Sequence, residues 1–331
     1  MKKQDAGRVI GAMSLAFIIG CAVPVDPRLN ATGQRVVDGE VLPFSENKEL
    51  LLAGLVDDGI GLIIKNRYFE AEGRLRQAQY LDPANTRILF NLALALNQTG
   101  QSEEAEQILQ RLNDRKPKSP DILYALADAE AGQQKYEEAV LHLKEIFNLL
   151  KPVKNVGRMA LIARSISNMA FRGGNEADAI CYSYEAYTLA PSPDQLGYHA
   201  RMLVALGHFE SAKDFIEEQV KVTPSLAKKT SVKHSLAVAR FIQGDIKGAL
   251  EAENQALDFL SKEPELGGEV NAAWYVIRSS LLTGEETEKE LKVIEDARAA
   301  ALDFREVGTE YRLFLPAQIV AAIDEIPAEE E

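Results

Sequence analysis

Four histidines, two cysteines, a single tryptophan and two glycine-containing turns are the places in this 331-residue chain where chemistry could reside. His142, His199, His208 and His234 form no HExxH and no pair at metal-ligand spacing, so they read as surface or groove residues. Gly59-Ile60-Gly61 is half of a dinucleotide fingerprint, but it lacks the third glycine and lies inside a helical pattern. Gly284-Glu285-Glu286-Thr287 is acidic and is not followed by the Gly-Lys-Ser/Thr that a phosphate loop needs. Cys181, between Ala179 and Tyr182, reads as a small buried hydrophobe, and Trp274 as core. No catalytic set, metal or cofactor is expected.

The elements that would position any site repeat. Residues 86–119 divide into two helical halves around Gly100. Leu89, Leu92, Ala93 and Leu96 recur at helical spacing in the first half, and Ala105, Leu109 and Leu112 in the second. Gly100-Gln101-Ser102 breaks the run and Pro117 closes it. These positions resemble the signature of the tetratricopeptide repeat, a helix–turn–helix unit of about 34 residues. Alanines at the contact would let paired helices approach, while leucines fill the next layer.

The same pattern recurs along the chain. Pro83 lies 34 residues before Pro117, and the unit over 52–85 carries Leu55, Gly59, Leu62, Ala71, Leu75 and Ala78. Further units read at 120–153, 160–193, 193–226 and 230–263, with a spacer near 154–159, since Ala139 and Ala179 stand 40 residues apart. A degenerate pair follows at 269–304, where Lys289 replaces a small residue. Glycines at 100, 174, 207, 244 and 284 share one turn register, where a left-handed backbone is cheap for glycine. The resemblance implies an all-α, right-handed α-solenoid over 47–324, of about six to seven helix pairs. A capping helix over 309–324 would close it, with an acidic tail over 325–331.

The N-terminus reads differently. Lys2, Lys3 and Arg8 precede an uncharged apolar run from 9 to 20, too short to span a bilayer and typical of a signal-peptide core over 1–20. The run ends Ile18-Ile19-Gly20-Cys21, which looks like a bacterial lipobox, with Ile19 bulkier than the usual residue. That resemblance implies acylation of Cys21, and acyl chains anchor because each buried CH₂ contributes roughly 0.8 kcal/mol. Residues 21–46, with three prolines and two glycines in 22–46, read as a tether. Ala22 in place of Asp favours the outer membrane, on its periplasmic side. With Cys21 lipidated, Cys181 would have no disulfide partner.

The formal charge is −13, and removal of residues 1–20, which carry a net +2, would leave −15. Such a surface repels phosphate backbones, so nucleic acid is excluded as a partner. In the repeat family the first helices of successive units line a groove. Its positions map here to Phe90, Asn91, Leu94, Asn97, Tyr124, Asp128, Arg164, Asn168, Tyr198, Arg201, His234 and Phe241. Aromatic area and amide groups suit capture of an extended peptide or a partner helix. The chaperone-tail clamp of some members is not expected, because Val56 and Ile60 occupy two of its positions.

The resemblance therefore implies a non-enzymatic scaffold that binds a protein of the cell envelope, aiding assembly of a pilus or a secretion pore such as a secretin. Alternatives are an adaptor for peptidoglycan enzymes or an accessory to exopolysaccharide export. An enzyme hidden in the C-terminal region would need convergent ionisable groups near 274–311, where the sequence offers only helix-surface charge.

Overall fold

Asn85 starts the helix that defines the repeat: its side-chain oxygen accepts from the N–H groups of Arg87 and Ile88 at 3.1 and 3.4 Å. The helix runs Thr86–Gln98 and buries Ile88, Leu92, Ala93 and Leu96. At its end Gly100 takes φ +84°, Gln101 N–H reaches back to Leu96 O at 2.9 Å, and Gly100 N–H to Asn97 O at 3.1 Å. That Schellman turn satisfies carbonyls the helix leaves open and reverses the chain into the next helix.

The computed structural model describes residues 36–37, 40–41, 44–283, 286–306 and 314–327. The signal-peptide reading, Cys21 and Gly284 lie outside the described residues, as does most of the tether. Fifteen α-helices are described. They are α1 Phe44–Ile64, α2 Tyr68–Leu81, α3 Thr86–Gln98, α4 Ser102–Arg115, α5 Pro120–Gly132, α6 Tyr136–Leu150, α7 Val156–Arg172 and α8 Glu176–Leu189. Then follow α9 Pro193–Ala205, α10 Phe209–Val222, α11 Thr230–Ile242, α12 Ile246–Phe259, α13 Gly267–Ser279, α14 Glu288–Glu306 and α15 Ala317–Asp324. The arrangement is an all-α solenoid of repeated helix pairs. A two-residue ladder, β1 Val36–Val37 against β2 Glu40–Val41, precedes them in antiparallel register.

Contacts divide the chain into two units, one of residues 1–154 with 172–174, the other of 155–171 with 175–331. In the first unit α1 pairs with α2, α3 with α4 and α5 with α6, and each second helix also packs on the next first helix. Its core joins Ile63, Leu75, Leu92, Leu96, Leu109 and Leu126. A Cβ on Gly59 would stand 2.7 Å from the Leu75 side chain, so glycine is what lets α1 lie against α2. In the second unit α9 to α14 stack in the same order, and α15 packs on α13 and α14.

Several boundaries differ from the sequence reading. Helix α1 begins at Phe44, inside the expected tether. The expected spacer near 154–159 is mostly helix: the extra residues lengthen α7, which starts at Val156. The terminal helix begins at Ala317, because Pro316, in an extended conformation, supplies the N-cap and has no N–H to continue a helix backwards. Within the described start of the tail, Glu325 and Pro327 are exposed, but Ile326 is buried with the core of the second unit.

Candidate partner-binding site

In the first unit, α3 and α5 lie side by side and carry the groove residues expected there, of which Asn97 and Asp128 meet. Phe90 is partly exposed and packs at the edge of the core; Leu94 and Tyr124 are nearly buried. The two asparagines are not available to a peptide backbone. Asn91 is buried and donates to Arg87 O at 2.8 Å, within its own helix. Asn97 donates to Asp128 Oδ2 at 2.6 Å and accepts from the Ser102 hydroxyl at 2.6 Å. Their expected role in bonding a peptide is therefore corrected: Asn91 bonds within its own helix, and Asn97 ties α3 to α5 and α4. Burial pushes the Asp128 carboxyl up to about 6, against the opposing hydrogen bonds from Asn97 and Gln98. Of the expected groove residues on these two helices, Phe90 and Asn97 are partly exposed, and Leu94, Tyr124 and Asp128 are buried.

The second unit ties its first helices together by side chains. The Arg164 guanidinium on α7 lies over the Tyr198 ring of α9 at 4.4 Å. The Tyr198 hydroxyl donates toward Arg164 O at 3.2 Å and Ser167 Oγ at 3.3 Å. Arg201, also on α9, reaches Glu269 on α13 at 2.6 Å. Asn168 is half-buried on α7, and Phe241 packs into the core clusters of α9 to α13, so it is filler more than groove.

His234 is not a groove residue. It is buried on α11, with Nδ1 2.7 Å from Glu253 Oε1 and Nε2 3.2 Å from Glu269 Oε1. Burial alone would hold it neutral, but the two carboxylates raise it to about 10. Burial raises Glu269 too, yet Arg201 and His234 pull it down to about 2. Glu253, deprived of solvent and facing Glu269, is shifted up in spite of His234. The result is a buried chain Arg201–Glu269–His234–Glu253.

Glu269 lies just before the 274–311 stretch in which only helix-surface charge is expected. The signal for Glu253 was present: it sits on the stripe of Ala249, Ala252 and Ala256, where a carboxylate must find a partner or neutralise. A cleft of about 360 Å³ between α10, α11 and α12 is lined by Ile216, Lys221, Lys233 and Gln255 among others, but by no member of this chain.

The remaining reactive side chains are engaged by neighbours or lie at the surface. His199 is buried, contrary to the surface or groove placement, with Nδ1 2.7 Å from Ser183 Oγ. That hydroxyl is also 2.9 Å from Ile180 O, to which it donates, so the imidazole N–H donates to serine. Burial lowers His199 to about 4; it is neutral and serves no base function toward Ser183. His142 and His208 pair with Glu130 and Glu176. Cys181 is exposed, which corrects its reading as a buried hydrophobe. Trp274 is buried as expected, its indole N–H on Asn254 Oδ1 at 2.8 Å. Among the described residues no His, Cys, Asp and Glu cluster could hold a metal ion, and no helix is long and apolar enough to cross a membrane.

Residues 62–129 match the model of the tetratricopeptide repeat family. No curated protein matches the chain. A tetratricopeptide repeat protein from Parabacteroides merdae is similar in structure, with 15% identity, a TM-score of 0.53, and coverage of 83% of this chain and 99% of that one. That likeness is one of fold. PilF of Pseudomonas aeruginosa is similar at 14% identity and a TM-score of 0.47, over 66% of this chain and 99% of that one. A thermophilic protein of the same repeat type from Thermus thermophilus is similar at 17% identity and 0.41, over 57% and 99%.

Proposed function

We propose that this tetratricopeptide protein is a non-catalytic, membrane-tethered scaffold that holds a partner polypeptide on the inner helices of its repeats. The observation that carries this reading is the packing of α3 against α5, which puts the partly exposed Phe90 on the same pair of helices as Leu94, Tyr124 and Asp128. Aromatic side chains on rigid helices lose little entropy on binding and anchor interfaces. A carboxyl accepts a hydrogen bond from a backbone N–H, or an ion pair from an ammonium group once ionised. The partner segment that fits is apolar, extended or helical, with a donor group alongside.

The same reading places the anchor at Cys21, acylated after removal of 1–20, and the scaffold on the periplasmic side of the outer membrane. Its task there is to assist assembly of an envelope machine such as a pilus or a secretion pore. This narrower assignment rests on the lipobox resemblance and on the habit of lipid-anchored repeat proteins. Replacing Phe90 or Tyr124 by alanine is expected to weaken partner capture by roughly 5- to 100-fold, the range for an aromatic anchor. Equal capture by both variants would remove this face from consideration. Mass spectrometry of the mature chain tests the anchor separately: an acylated Cys21 at its N-terminus supports it, and a bare or absent Cys21 ends it.

A further inference from the structure

The inner face of the second unit is filled by the chain itself. Phe314 stacks on Phe171 of α7 with ring centroids 5.4 Å apart and planes at 20°. It meets the Tyr198 ring edge-on at 6.5 Å and lies 4.5 Å from the Arg201 guanidinium. The residues after it continue the seating: Leu315, Ile319, Ile323 and Ile326 are all buried, at the spacing of one helical stripe.

The box that receives Phe314 is held by contacts that do not involve it. Arg201 is fixed by Glu269, and Tyr198 by Arg164 and Ser167. Removing the phenylalanine would therefore leave a preformed site for an aromatic ring, the arrangement that costs least to fill. The far end of the segment is secured otherwise. Arg298 donates to Pro327 O and Arg305 to Ile326 O, each at 2.6 Å, as charge-assisted bonds to α14. Among the described residues, the Phe314 ring itself is held by ring and cation contacts, and Leu315 beside it is buried in the core of the unit.

We propose that the Phe171–Tyr198–Arg201 box is a binding site for a partner polypeptide carrying a phenylalanine followed by an amphipathic helix, and that the chain's own Phe314 segment occupies it as a displaceable internal ligand. This deepens the scaffold reading above, in the second unit and independently of the Phe90 face. A tethered occupant competes at an effective concentration on the order of millimolar, so a partner enters only if it binds well or if the segment is drawn aside.

The test uses the full chain and a fluorescent peptide copying residues 311–327, followed by anisotropy. Phe314→Ala is expected to bind this peptide at least about tenfold more tightly than the unaltered chain, since the box is vacated and no ring competes. Adding Phe171→Ala to Phe314→Ala removes the receiving ring and is expected to abolish that gain. Light scattering should show one peptide per monomer. The proposal is overturned if Phe314→Ala gains no affinity or if Phe171→Ala leaves the gain intact. It is equally overturned if Phe314→Ala shows no cooperative thermal melt, because the segment is then part of the body. Dimers formed through exchange of the segment would make a second copy the occupant and also refute it. Intact partner capture through Phe90 alongside any of these failures leaves the scaffold reading standing.

Discussion

Arg201, Glu269, His234 and Glu253 are the residues whose neighbours matter most to their state. Deleting the imidazole with His234→Ala leaves two carboxylates buried without their shared partner. The expected loss is about 3–5 kcal/mol, read by urea denaturation, as for other broken buried pairs. The pH dependence has a definite sign for each group. His234 is raised from 6.5 to about 10, so its contribution is complete below 6.5 and is lost as pH rises through 10. Glu269 is lowered from 4.5 to about 2, so its contribution is present above 4.5 and is lost as pH falls through 2. Asp128 in the first unit is raised from 3.8 to about 6; stability it lends is present below 3.8 and lost as pH rises through 6. Asp128→Asn is therefore expected to stabilise by about 1–3 kcal/mol above pH 6 and to be neutral below pH 4, in melts compared at the two pH values. None of these states was legible in the sequence. Repeat register identifies the apolar stripe, but not that Arg201 would meet a carboxylate 68 residues away.

The turn between paired helices is where sequence and structure agree most closely at the scale of elements. Gly100, Gly174, Gly207 and Gly244 all have positive φ, as their shared register predicts. The structure adds Asn66 and Gln134, which take φ +57° and +64° at the same place in their own repeats. Arg67 N–H bonds Leu62 O and Lys135 N–H bonds Glu130 O, as Gln101 N–H bonds Leu96 O. A search for glycine could not find these two turns, because hydrogen bonds and packing enforce the left-handed backbone on side chains that resist it. Gly207→Ala is accordingly expected to cost about 1 kcal/mol, and Gln134→Gly to be neutral or to gain a few tenths, in paired thermal melts. Element ends were harder to read. The start of α15 was set by Pro316, and the extra residues before α7 became helix, since an amphipathic stripe runs equally well into a longer helix.

At the scale of the molecule, the repeats made the fold class readable, because each helix pair restates the same small and large apolar positions. Two things were not. A groove position in a repeat pattern does not reveal whether the side chain faces solvent: Asn91, Asn97 and His234 all spend their polar atoms inside the protein. Nor does the pattern show that Phe314 returns to the inner face of the second unit. In the proposed function, a partner meets the partly exposed Phe90 on the first unit, where the Phe314 segment is not bound. Site-specific photo-crosslinking decides this most directly, with a photoreactive phenylalanine placed at Phe90 on α3 or at Tyr80, 86% exposed on α2. In cells making the full chain, the account predicts a discrete crosslinked partner from position 90 and none from position 80. Equal crosslinking from both, or from position 80 alone, would contradict it.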